Sequence, residues 1–504
     1  MHNPMRAAMR GGLMVCGTAS DAGKTTVAAG LCRLLARRGV RVAPFKAQNM
    51  SLNSCVTPSG HEIGRAQGWQ AMAAGATPEV AMNPVLLKPS DDRRSQVVVL
   101  GRPWATLDAR AYHDRKPELL QIVLDALADL RQRFDVVVIE GAGSPAEINL
   151  LEHDIVNLRI AVEAKVPAIL VGDIDRGGVF ASLFGTVALL PDQHRERVRG
   201  FVINKFRGDP ALLDSGLAEL EARTGVPTLG VVPWLSGLTI DAEDSLALAR
   251  PFTIAGPAVV DPLDVAVIRF PRVSNVTDVD ALALEPGVAV RLVESPRTLG
   301  DPDLVILPGT KATVADLTWL RSTGLDRAVA AGRALVLGVC GGQQMMGTTI
   351  HDPGGIESGA GQVEGLGWLD VTTTFGPDKF VRQRRGMAMG EAVAGYAIHH
   401  GVVERAATTA GWVHLDDETG AGDDGAVEPA DARFLGTSLH GLFEGDAFRA
   451  TFLTEVGRRA GKTFVPAGVS FAGARQGQLD AVADLLKANL DLGAIDALIA
   501  EGAP

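Results

Sequence analysis

The 504-residue chain, 46% of it hydrophobic, is long enough for two or three separately cored domains and too long for one. Its formal net charge of -11 and pI near 5.5 exclude a broad basic field for nucleic acid or anionic lipid, so any phosphate binding has to be local. The four cysteines, Cys16, Cys32, Cys55 and Cys340, are scattered without a CxxC pair, which points to a reducing cytoplasm and away from a disulfide framework or zinc site.

No apolar run reaches the roughly 20 residues of a membrane span. The short run after Arg6 and Arg10 passes directly into the first motif, with no room for a signal segment. From Leu13 to about Val232, apolar runs alternate with helical patterns: LMVCG, VRVAPF, DVVVIE, PAILVGD, GFVINKF and TLGVVP each read as a buried strand of a parallel sheet. After the first comes GTASDAGKTT, a phosphate-cradling loop that enters the helix-like TVAAGLCRLLARRG. Its spacing is one residue longer than the usual phosphate loop, because Thr18 holds the usual first-glycine position. Gly23 lets the backbone curl, Lys24 reaches the β- and γ-phosphates of ATP, Thr26 opens the helix beside them, and the Thr25 hydroxyl is a Mg²⁺ ligand.

Lys46, Gln48, Asn49 and Ser51 follow a strand that should end beside the phosphates and are candidates for contacting substrate. Glu140, at the C-terminal end of DVVVIE, is well placed to hold Mg²⁺ with Thr25, and Asp173 and Asp175 are weaker candidates that also suit a turn. Asn204 and Lys205, after GFVI, are candidates for contacting the nucleotide base or for capping the strand end.

Proline and glycine in Ala249–Pro257 interrupt this rhythm, so the domains are predicted as 1–250, a linker at 251–262, and a second α/β domain at 263–504. Its strands are expected at LDVAVI, VRLV, DLVILPG and ALVLGVCGG, then around GLGWLDV, GYAIHHG and FLGTSLHG. The acidic, glycine-rich stretch near 415–432 reads as an exposed loop, and residues 475–499 as a packed terminal helix.

Cys340 follows an apolar run and precedes two glycines, which predicts a sharp strand-to-helix turn exposing a nucleophilic thiol to main-chain donors such as Gly341 N–H. Gly309, in LPGTK, is a second oxyanion donor candidate. Such a thiol needs a histidine, and His440, His399 and His400 all lie near strand ends where periodicity does not separate them.

PFKAQNMSLNS (44–54), EIGRAQ (62–67), MNPVLLKP (82–89), EGAGSPAEINL (140–150), LVGDIDRGGVFASL (170–183), GFVINKFRGD (200–209), FPRVSNVTDVDAL (270–282), GVCGGQQMMG (338–347) and GTSLHG (436–441) resemble, in order, segments of the cobyric acid synthases, glutamine-hydrolysing amidotransferases of cobalamin biosynthesis. The resemblance implies a dethiobiotin synthetase-like N-terminal domain and a class I glutamine amidotransferase-like C-terminal domain. It further implies ATP- and glutamine-dependent amidation of the b, d, e and g carboxylates of adenosylcobyrinic acid a,c-diamide, with ATP and Mg²⁺ as cofactors and L-glutamine and a corrinoid as partners. By family position Cys340 is the nucleophile and His440 its base, while His399 matches a histidine without assigned chemistry. Leu442 stands where many class I enzymes carry a histidine-orienting glutamate, so a Cys–His dyad is expected; Gln343 replaces a common family tyrosine.

The related a,c-diamide synthases share both domain types, but PFKAQNMSLNS and SPAEINL favour the b, d, e, g enzymes. A partitioning or switch ATPase would carry a lysine where this chain has Ala19, and would have no use for Cys340. A scaffold that has lost its activity is disfavoured by the retention of Cys340 and His440.

Overall fold

A computed structural model of the protein describes residues 9–238, 261–417 and 420–503. The interrupting stretch Ala249–Pro257 lies outside the described residues. No helix among the described residues is long and apolar enough to cross a membrane.

The first sheet is all parallel, in the order Thr228–Pro233, Val198–Phe206, Ala168–Asp173, Gly11–Gly17, Val136–Glu140 and Val42–Phe45. Its central strands are buried on both faces, which is why they read as continuous apolar runs. The Gly11–Gly17 strand sits at the switch point of the sheet, and its register sets Val15 opposite Glu140. The phosphate loop and Glu140 therefore leave the same edge side by side.

A four-stranded sheet, Gln48–Met50, Val85–Pro89, Arg94–Val99 and Arg102–Asp108, adjoins the first unit. It carries the segment after Lys46 towards the second unit, where the main-chain N–H of Ser54 donates to Asn275 Oδ1.

The second main sheet runs Val288–Val293, Leu263–Ile268, Leu304–Leu307, Leu335–Val339, Phe434–Thr437 and Ala426–Val427, parallel except for the last. A long hairpin, Val371–Ala388 with Glu391–Arg405, rises beside it. GLGWLDV contributes only its last residue to a strand, because Gly367 adopts a left-handed turn before Val371. The acidic stretch is not an irregular loop: Val413–Asp417 pairs with Gly420–Asp424, and the Asp424 carboxylate accepts from Thr437 and Ser438.

Residues 471–501 form two helices, Phe471–Asn489 and Leu492–Glu501, rather than one. They pack on the first sheet, although the sequence counts them with the second unit: Leu479, Ala483, Leu486, Ile495 and Ile499 share a core with Val15, Leu31 and Val202. Arg33–Asp480 and Arg38–Asp496 ion pairs, 2.8 and 2.7 Å, flank that contact. Helical periodicity identifies an apolar face but not which sheet it covers.

Candidate active site

At the first sheet's edge, Gly23 caps the Lys24–Arg37 helix with φ 97°, and a Cβ there would lie 2.0 Å from Asn204 Nδ2. Only glycine satisfies both the left-handed backbone and that close approach. Lys24, 6% exposed, donates from its ammonium to Ala19 O in the loop at 2.8 Å and to Gly143 O, just past Glu140, at 3.1 Å. Thr25 donates to Glu140 Oε1 at 2.8 Å. Glu140 is 1% exposed and also accepts from Lys46 Nζ at 2.9 Å and from Gln70.

Asn204 donates to Ala22 O at 2.9 Å, and Lys205 bonds Asp21 O and the Asp173 carboxylate. Asn204 and Lys205 line a cavity with Gly23, Thr26, Trp234 and Leu485, so the terminal helix supplies part of its apolar wall. Asp173 accepts from the N–H of Asp175, and Asp175 pairs with Arg207: these two acids form a turn and an ion pair rather than joining Glu140. Among the other candidates, Gln48 bonds Tyr112, Asn49 donates to Gln67 at 2.9 Å and Ser51 to Asn53 O at 3.2 Å; Lys46 alone of the four is bonded to Glu140.

In the second unit, Cys340 links the Leu335–Val339 strand to the Gly341–Met346 helix with φ 52° and ψ −109°. A non-glycine residue at positive φ is strained, as expected of a nucleophile turn. Its thiol donates to Ile398 O, 3.7 Å away, and lies near enough to His440 to help raise the imidazole pKa. Gly341 packs against the Thr310 main chain, and a Cβ on Gly309 would lie 2.9 Å from His440 Cε1, so Gly309 approaches the imidazole while Gly341 directly follows the nucleophile.

His440 is 1% exposed. Its Nδ1–H donates to Asp278 Oδ2 at 2.6 Å, and Asp278 Oδ1 accepts from Gly441 N–H at 2.9 Å. Burial works against the imidazolium, but the Asp278 charge and hydrogen bond, with the Cys340 contact, raise the His440 pKa to about 10. Tyr396 stacks on the ring at 5.3 Å. The carboxylate absent at Leu442 is thus supplied by Asp278, from a short turn near the front of the second unit. Glu444 instead pairs with Arg65 and Arg475, joining both units.

The competing histidines have other partners. His399 bonds Gly401 O and stacks on Phe380, with burial lowering its pKa. His400 Nε2 faces Gln96 across the units, and burial together with Lys379 and Lys311 lowers its pKa to about 4. His399 and His400 still line the thiol cavity, along with Lys311, Thr313, Gln344 and Glu357. Burial raises the Glu357 pKa to about 7 and lowers that of Lys311.

Residues 13–247 match the CobQ/CobB/MinD/ParA nucleotide binding domain family, and residues 264–448 the CobB/CobQ-like glutamine amidotransferase domain family. The chain is 54% identical to a cobyric acid synthase of Frankia casuarinae, covering 98% of each chain. It is 55% identical to one of Saccharopolyspora erythraea, covering 98% of this chain and 95% of the relative, and 53% identical to one of Streptomyces avermitilis, covering 98% of each. With a nucleotide-binding unit and a glutamine-hydrolysing unit both matched along nearly its whole length, the chain belongs to the cobyric acid synthase family of glutamine-hydrolysing, ATP-dependent amide ligases.

Proposed function

We propose that the protein converts adenosylcobyrinic acid a,c-diamide to adenosylcobyric acid by amidating the b, d, e and g carboxylates in turn. The observation that carries this reading is the pairing, on one chain of this family, of the Lys24–Glu140 edge with the Cys340–His440–Asp278 cluster.

In the glutaminase half, Cys340 sulfur attacks the side-chain carbonyl carbon of glutamine as its proton passes to His440 Nε2. The carbonyl oxygen takes up negative charge, met by the N–H groups of Gly309 and Gly341. Collapse breaks the C–N bond, and His440 returns the proton to the departing ammonia. Water then cleaves the thioester to glutamate with His440 as base. Lys311 and Glu357 line the same cavity and pair with the carboxylate and ammonium of glutamine, whose charges favour the ionised forms that burial opposes.

In the synthetase half, a corrinoid carboxylate oxygen attacks the γ-phosphorus of ATP, and the bond to the β-phosphate oxygen breaks to release ADP. Ammonia adds to the acyl phosphate carbon; the C–O bond breaks, phosphate leaves and the nitrogen sheds a proton to give the amide. Lys24 neutralises charge on the transferring group. Thr25 Oγ1 and Glu140 Oε1 are hard oxygen donors that fit Mg²⁺, which when bound would screen the phosphate charge. Asn204, Lys205 and the cavity beside Thr26 and Trp234 hold the base. Ammonia passes between the units without meeting bulk water, where it would be protonated.

The test incubates the protein with MgATP, glutamine and adenosylcobyrinic acid a,c-diamide and follows the corrinoid by mass spectrometry, with Cys340→Ala run on glutamine or ammonium. Stepwise formation of the hexa-amide, lost in the variant with glutamine and restored with ammonium, is the expected result. Glutamine hydrolysis with an unchanged corrinoid would reject this acceptor.

A further inference from the structure

Asn275 is 3% exposed and bridges the units. Its Oδ1 accepts from the main-chain N–H of Ser54 at 2.9 Å, and its Nδ2 lies 3.4 Å from His440 Nε2. The main-chain donor fixes the amide's orientation, because only an oxygen can face it. In the neutral ring the Asp278 contact keeps the proton on Nδ1 and leaves the lone pair on Nε2. In that form the Asn275 N–H faces the very atom that must take the thiol proton, while the thiol itself donates to Ile398 O. Once Nε2 is protonated, the amide nitrogen has no lone pair with which to accept from it, so the contact favours the neutral ring and opposes the pull of Asp278 toward the imidazolium.

Ser54 is fully buried, donates to Glu62 Oε1 at 2.7 Å and accepts from Lys88 Nζ at 3.0 Å. It ends the segment that begins at Lys46, whose ammonium is bonded to Glu140 at the nucleotide edge. The same short stretch of chain thus touches the phosphate-side carboxylate at one end and, through one amide, the glutaminase histidine at the other. Asn275 stands at φ 53°, a left-handed conformation that asparagine tolerates better than most residues.

Building on the reaction proposed above, the geometry points to Asn275 as a positioning residue through which segment 46–54 restrains His440. When nucleotide and acceptor engage that segment, the Ser54 bond shifts, Asn275 withdraws from Nε2 and glutamine hydrolysis accelerates. The ligand sensed is an acceptor carboxylate together with a nucleoside triphosphate, and the response is timing of ammonia release.

Two variants test it. Asn275→Gly removes the amide while allowing the left-handed backbone; Asn275→Asp keeps an acceptor for Ser54 N–H but gives the imidazolium a carboxylate oxygen, and it decides the matter where the glycine variant does not fold. Glutaminase kcat and KM are measured with glutamine alone and with MgATP plus adenosylcobyrinic acid a,c-diamide, and iodoacetamide labelling of Cys340 is followed by peptide mass spectrometry. The release of one neutral hydrogen bond raises unstimulated kcat by about three- to tenfold, with KM for glutamine moving less. The stimulation ratio falls towards one, and Cys340 labels faster. An unstimulated kcat at or below wild type, or wild-type hydrolysis that MgATP and acceptor do not stimulate, overturns the proposal. Wild type that hydrolyses no glutamine rejects the function reading instead, and the labelling rates then still report whether Asn275 restrains the Cys340–His440 pair.

Discussion

Asp278 and His440 lie 162 positions apart in the chain, yet the Asp278 carboxylate meets the imidazole Nδ1 at 2.6 Å, with both side chains buried. In the neutral ring the contact keeps the proton on Nδ1 and the lone pair on Nε2, the nitrogen a general base uses. Asp278→Asn offers an amide where the ring needs an acceptor and favours the wrong tautomer. Glutaminase kcat should fall by about 10²- to 10⁴-fold, and amidation with ammonium should persist; equal loss with both nitrogen donors would place Asp278 outside the glutaminase.

The same pair sets a pH dependence of stability. The Asp278 interaction outweighs burial and raises the folded His440 pKa to about 10, above its unfolded value of about 6.5. The contribution is therefore complete below about 6.5 and is lost as pH rises through about 10. The melting-temperature gap between wild type and Asp278→Asn should narrow steadily from neutral pH to pH 10. A gap that stays constant would mean that Asp278 does not hold a proton on His440.

Much of this was legible in the sequence, for local reasons. The strands of the first sheet are buried on both faces, so their apolar runs announce them, and the strain at Cys340 follows from a nucleophile squeezed between a strand and two glycines. Asp278 was not legible, although it lies in the family segment 270–282: nothing local tells an acid that receives a distant ring from one that caps a turn. The same limit hid the packing of residues 471–501 on the first sheet and the bridge from Ser54 to Asn275, which exist only once the two units meet. The paired strands at 413–424 were missed because Gly and Asp are poor strand formers, and the Asp424 bonds to Thr437 and Ser438 that hold them are tertiary.

Glu140 and Lys46 form a buried ion pair at 2.9 Å, with side-chain exposures of 1% and 6%. Glu140→Gln keeps the volume but removes the charge that balances Lys46 and leaves only a neutral amide oxygen beside Thr25. Breaking one partner of such a pair costs about 3–5 kcal/mol, so the variant should melt earlier. ATP-dependent amidation should fall with ammonium as well as with glutamine, while unstimulated glutamine hydrolysis persists below the melting point. Undiminished amidation would remove Glu140 from the nucleotide site.

Glu62 is fully buried between Lys88 of its own unit and Lys379 of the other. Burial opposes its ionisation, but the two ammonium groups prevail and hold its carboxyl well below the usual range. Its stabilisation is therefore present above the unfolded value of about 4.3 and is lost as pH falls below it. Glu62→Gln leaves two lysines facing each other, and denaturant titration should show a loss of about 3–5 kcal/mol at neutral pH that shrinks in acid. A loss independent of pH would indicate a packing defect rather than a missing charge.

The terminal helix carries the last expectation. Leu486 is 1% exposed in the core shared with Leu31 and Leu35, and with Val482 and Leu485 it walls the cavity that contains Thr26, Asn204, Lys205 and Trp234. Leu486→Ala removes apolar contacts that the rigid sheet does not move to refill, which costs about 2–5 kcal/mol. Because the same side chain closes the cavity, ATP binding measured by calorimetry should weaken as the protein loses stability. The thiol cavity is lined by other elements, so KM for glutamine should stay near wild type below the melting point. Equal weakening towards both ligands would instead mean that the helix braces the whole chain, and unchanged ATP affinity would separate this cavity from the base.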